Sequence, residues 1–95
     1  MKKYVATVEV GGFEVRYFRT HEESTEDDNK CLHGIYAAKY EAGNLSDEAS
    51  TGPIAEDADQ VNALILHMAE NTVTPMVLFE ILDEIHANFF EDMSA

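Results

Sequence analysis

The sequence predicts an α+β fold: an antiparallel sheet of three to four strands with two C-terminal helices packed on one face. Three observations carry that expectation. The front half alternates apolar and polar residues in two runs separated by Gly11-Gly12. The last third, from Asp57 to Phe90, changes to the spacing of helical faces. Strands precede helices instead of alternating with them, which favours segregated layers over a parallel α/β sheet. The 95 residues are expected to form one domain over 1–95 with a single modest core.

The first strand is expected over residues 4–10. Tyr4, Ala6, Val8 and Val10 share one face, and Val5, Thr7 and Glu9 share the other. Gly11-Gly12 makes a two-residue hairpin turn, because glycine tolerates the positive φ such turns require. The second strand runs over residues 13–20. A two-residue loop pairs Val10 with Phe13, Val8 with Val15 and Ala6 with Tyr17, apolar on apolar each time. On the outer face the same register sets Thr7 against Arg16 and Val5 against Phe18. It also sets Glu9 against Glu14, an unfavourable pair unless a cation lies nearby.

His21 to Asn29 holds five acids and no apolar residue, and reads as a mobile, solvated loop. Leu32 to Tyr40 returns to strand composition, with apolar residues on both faces. Ala42 to Pro53 is small and polar, with a short fourth strand expected around Leu45 to Ala49.

Both helix starts have a mechanism. Asp57 is an N-cap with Gln60 three residues on, as in a capping box. Val61, Leu64, Ile65 and Met68 then mark one face of a helix over 58–70, and Asn71 is expected to stop it in the left-handed conformation. Thr74 caps a second helix over 75–90. Pro75 sits where a missing amide hydrogen costs nothing. Val73 staples onto Leu78, and Leu78, Ile81, Leu82, Ile85 and Phe89 form the apolar stripe.

The charge narrows function. Nineteen acids face six bases, a net charge of −13. Such a field repels phosphate backbones and anionic lipid, so neither nucleic-acid nor membrane-surface binding is expected. The crowding also predicts that modest acidification, or added salt at neutral pH, raises the melting temperature. Neither a signal peptide nor a membrane span is expected, since Met1-Lys2-Lys3 leads into an alternating strand pattern, and the lone Cys31 fits a reducing cytoplasm. A helix-turn-helix reading fails. The polar face of the second helix carries Glu80, Asp83 and Glu84 and no base to meet phosphate.

No motif for chemistry stands out. His21, His33, His67 and His86 make no HExxH pair. Asp83 and His86, three apart on a helix, supply half a metal site. Cys31 and His33 would share a strand face, but roughly 7 Å apart at the backbone, with no third group to orient them. The acidic loop lacks the glycine and closing glutamate of a calcium loop. No catalytic residue, cofactor or metal is therefore implied.

The layout resembles a family of short bacterial domains of unknown function, DUF6514. The resemblance rests on the N-terminal hairpin, on His33-Gly34-Ile35, and above all on the helix start Asn71-Thr72-Val73-Thr74-Pro75-Met76-Val77-Leu78. Relatives often carry tyrosine where His33 stands and histidine where Val77 stands. The resemblance implies a fold and no activity.

The leading functional expectation is a small non-catalytic interaction or regulatory module. Its partner is a protein, which the acidity suggests is basic. Val5 and Phe18 are the candidate interface, on the sheet face the helices leave open, and a homodimer is one way to bury it. The alternatives are an acidic nucleic-acid mimic occupying a basic groove, and a small metal-binding protein or enzyme resting on Cys31, His33, Asp83 and His86.

Overall fold

The structure, a computed structural model, describes residues 2–23, 31–78 and 80. Four strands form one antiparallel meander in chain order: β1 Lys2–Val10, β2 Phe13–Glu23, β3 Cys31–Glu41 and β4 Asn44–Ala55. Helix α1, Ala58–Glu70, lies across the sheet and touches all four strands.

The first hairpin turns at Gly11-Gly12, both with positive φ, and its register begins as the alternation predicts. Val10 pairs Phe13, Val8 pairs Val15, Thr7 pairs Arg16 and Ala6 pairs Tyr17. Then the register shifts, and Tyr4, not Val5, stands opposite Phe18. Val5 is the extra residue of a bulge, and it packs against the core. The expected Val5–Phe18 pair is thus replaced by Tyr4–Phe18. Tyr4, Val5 and Ala6 are all apolar, so alternation offers no resistance to the switch.

Two boundaries differ from expectation. β2 continues through His21 to Glu23, so the predicted loop loses its first three residues to the sheet; residues 24–30 lie outside the described residues. β4 has 12 residues where a short strand was expected, because the turn into it is the two-residue loop Ala42-Gly43. Both turn residues take positive φ, 52° and 82°.

The face of β3 is now defined. His33, Ile35 and Ala37 are buried, and Ile35 and Ala37 join the core cluster; Tyr36 and Tyr40 alternate to the other side. Gly34 sits where β4 comes closest. A Cβ there would lie 2.0 Å from the Gly52 carbonyl oxygen and 2.8 Å from Thr20 Oγ1. Register shifts on both sides of Gly34 mark an irregular β4, where Thr51 Oγ1 accepts from the Ile35 amide at 3.0 Å and donates to the Gly52 carbonyl at 2.6 Å.

The helix begins as its cap predicts: Asp57 accepts from the amides of Asp59 at 2.9 Å and Gln60 at 3.3 Å. Val61, Leu64, Ile65 and Met68 are buried. The stop differs. Asn71 has φ −100°, and Thr72 takes the left-handed conformation at φ 51°. The Val73 amide bonds the Met68 carbonyl and the Thr72 amide bonds the Ala69 carbonyl, a Schellman closure. Asn71 serves by its side chain instead, donating Nδ2 to the His67 carbonyl at 2.8 Å.

Val73 is then held by the core face of the sheet. Tyr17, fully buried on β2, donates its hydroxyl to the Val73 carbonyl at 2.6 Å. Burial pushes the Tyr17 phenol up to about 12, so it stays a donor. Residues 75–78 and 80 are helical, with Pro75 and Leu78 buried and the Leu78 amide bonding the Thr74 carbonyl at 2.8 Å. The second helix therefore starts at Pro75, and Leu78 joins the same core cluster as α1. Its predicted continuation to residue 90, with Ile81, Leu82, Ile85 and Phe89, lies outside the described residues.

Candidate functional site

The sheet has two unlike faces. The core face carries Val15, Tyr17, Ile35 and Ala37 under α1. The outer face, among the described residues, carries an aromatic row across three strands. The Tyr4 and Phe18 rings meet edge-on with centroids 5.9 Å apart, and Phe18 and Tyr36 lie 5.7 Å apart. Tyr4 is 58% exposed, while Phe18 and Tyr36 are half-buried.

The cations on this face sit on the rings. Lys2 Nζ lies 4.0 Å from the Tyr36 centroid, and the Arg16 guanidinium lies 4.3 Å from that of Tyr40. Arg16 also forks onto Glu14, Nε to Oε2 at 3.0 Å and Nη2 to Oε1 at 3.2 Å. It is the cation that the Glu9–Glu14 pair requires, and its hydrogen bond holds the Glu14 carboxyl below the usual range. The Tyr36 hydroxyl donates to Glu48, which pushes that phenol up to about 12.

Of the two residues expected to form an interface, Phe18 stands at the centre of this row and Val5 does not reach it. Sequence reasoning missed Tyr4 and Tyr36. Tyr4 changes face because of the bulge, which leaves no mark in the sequence. Tyr36 shares the parity of Phe18 only once the β2–β3 register is known, and the intervening acidic segment gives no turn signal.

Two of the residues considered for chemistry, Cys31 and His33, lie on the other side. His33 is 6% exposed, and its ring lies 5.3 Å from that of His21 across the β2–β3 pair. Burial, then Arg19 and His21, hold the His33 pKa below its ordinary value, with a hydrogen bond to the Thr20 backbone and then Asp57 pulling the other way. Among the described residues its Nδ1 has no hydrogen-bond partner, nor does Arg19 Nε. Arg19 uses its Nη1 to reach Asn62 of α1 at 3.1 Å. Cys31 shares the His33 side of the strand, but no hydrogen bond joins the two, and a thiol–imidazole nucleophile needs one. Among the described residues no three His, Cys, Asp or Glu side chains are grouped to hold a metal. Asp83 and His86 lie outside the described residues.

An open cleft of about 410 Å³ lies between the two hairpin turns, lined by Glu9, Gly12, Phe13, Glu14, Tyr40 and Gly43 among others. Among the described residues its lining offers carboxylates, aromatic rings and backbone, and no thiol, imidazole or amine. No described helix is long and apolar enough to cross a membrane.

Comparison with known proteins adds one finding. Neither the curated proteins nor the solved structures give a significant match to the chain. The family profile described as "Family of unknown function (DUF6514)" matches residues 1–88, and by that coverage the chain belongs to the DUF6514 family.

Proposed function

We propose that the protein is a non-catalytic interaction module that receives a protein partner on the outer face of its sheet. One observation carries the reading: the row Tyr4–Phe18–Tyr36, flanked by Tyr40 and capped by Lys2 and Arg16, lies on the face opposite α1. Aromatic rings and arginine are the side chains that dominate interface energetics, since they bury large areas at small conformational cost. The lone Cys31 supports a cytoplasmic setting.

The acidic nucleic-acid mimic draws on the net charge of −13 and on nothing local to this face. A mimic would set carboxylates where Lys2 and Arg16 stand. The net charge likewise opposes nucleic-acid binding, although aromatics and cations on a sheet are also what a single strand stacks on.

The test is affinity capture from the native host with the wild type and with Phe18→Glu, partners identified by mass spectrometry. Partners recovered by the wild type and lost with Phe18→Glu support this face. The same partners from both baits overturn it. Wild-type partners that dissociate steeply with salt whichever bait is used favour the mimic. Binding of a labelled single-stranded oligonucleotide, lost in Phe18→Glu, overturns the protein-partner reading.

A further inference from the structure

We infer that the occupant of the outer sheet face is a second copy of this chain, packed face to face with its strands antiparallel to the first. The inference rests on the interaction-module reading and names its partner.

Charge selects the occupant. By strand register the outer face carries, among the described residues, Lys2, Glu9, Glu14, Arg16, Glu22 and Glu48 as its ionisable groups of integral charge. Two bases there stand against four acids, while most of the described acids lie off this face. The acidic excess lies mainly elsewhere, so two copies repel least when they meet here. A basic partner would be drawn to the rest of the surface and would meet Lys2 and Arg16 on this face. A partner that suits it must present aromatic surface together with carboxylates, and the face itself presents both.

The order of those groups along the strands sets the orientation. Lys2 stands at the start of β1, and Glu9 stands seven residues further on beside the hairpin turn. The aromatic row crosses β1, β2 and β3 at a level between the two, nearer Lys2 than Glu9. A two-fold axis crossing the strands midway between them brings Lys2 of each copy, its side chain swung off the Tyr36 ring, over Glu9 of the other, and sets the two aromatic rows side by side, roughly 7 Å apart along the strands. Isologous contact of this kind closes at two copies.

The area suffices. Four strands of 9 to 12 residues span a face of roughly 30–35 Å by 15–20 Å at ordinary strand rise and spacing. That is on the order of 600 Å² per copy, close to the ~800 Å² per partner of a standard interface.

The test is sedimentation equilibrium on the purified full chain from 1 to 500 μM, with circular dichroism confirming that each variant folds. The wild type is expected to dimerise and Phe18→Glu to remain monomeric. Lys2→Glu, a substitution at an exposed position, is expected to weaken dimerisation at least five-fold. Adding Glu9→Lys to Lys2→Glu is expected to recover most of that loss, because the swapped charges meet again across the two-fold. A Phe18→Glu variant that dimerises like wild type overturns the face. A double variant as weak as Lys2→Glu alone overturns the antiparallel arrangement. A wild type that stays monomeric throughout overturns the second copy as occupant. If host partners are still lost with Phe18→Glu in that case, the interaction face itself stands.

Discussion

Gly34 is the residue at which backbone geometry decides most. Its neighbours His33 and Ile35 are both buried, and the β4 backbone at Gly52 passes so close that no Cβ fits. The atom in the way is a carbonyl oxygen, not the tip of a side chain that could swing aside. Gly34→Ala must therefore push β4 away and break the Thr51 link to the Ile35 amide. Overpacking of a closed site costs typically 1–3 kcal/mol, and backbone displacement adds to it. We expect Gly34→Ala to lose roughly 3 kcal/mol in urea denaturation. A loss under about 1 kcal/mol would show that the bulge at residues 51–53 moves freely. The family resemblance includes this glycine, and the close approach supplies its physical reason.

At the scale of elements, legibility followed the locality of the cause. The Gly11-Gly12 hairpin, the Asp57 cap and the Thr74-Pro75 start depend on residues within a turn of one another, and each stands where its chemistry puts it. Phe18 on the outer face followed from alternation. Val5 did not, because a bulge is settled by packing against α1 and not by the strand's own pattern. The length of β4 was hidden for a similar reason. Ala42 adopts φ 52°, a conformation its side chain disfavours, so the second hairpin lacks the double glycine of the first. The His21–His33 contact depends on the β2–β3 register, which no sequence motif specifies. The helix stop was displaced by one residue: Thr72, β-branched, takes the left-handed place expected of Asn71. Left-handed φ costs an L-residue roughly 1–2 kcal/mol, and glycine avoids that cost while adding entropy to the unfolded chain. Thr72→Gly is therefore expected to stabilise the protein by about 0.5–1 kcal/mol, read from the denaturation midpoint at unchanged slope. An unchanged or lowered midpoint would mean that the Thr72 side chain contributes contacts that outweigh its strain.

For the whole molecule, charge and one buried imidazole oppose each other. A net charge of −13 makes the folded state repel itself, so salt at neutral pH is expected to raise the melting temperature by a few degrees. Acidification eases the same repulsion as carboxylates begin to protonate. His33 works against that gain. Burial, Arg19 and His21 depress its pKa, and a hydrogen bond to the Thr20 backbone and the charge of Asp57 offset them only in part. A depressed imidazole contributes stability that is present above the ordinary histidine pKa near 6.5 and lost as pH falls through the lower folded value. Between pH 7.5 and 5.5 the carboxylates therefore push the melting temperature up while His33 pulls it down. His33→Tyr removes the titration and installs the residue that the family resemblance implies at this position. We expect salt to raise the melting temperature of both proteins alike, and mild acid to raise that of His33→Tyr more than that of the wild type. Parallel pH profiles would show that His33 accepts its proton at no cost to the fold. A flat salt response in both would show instead that the acids are already dispersed or paired, as Glu14 is with Arg16.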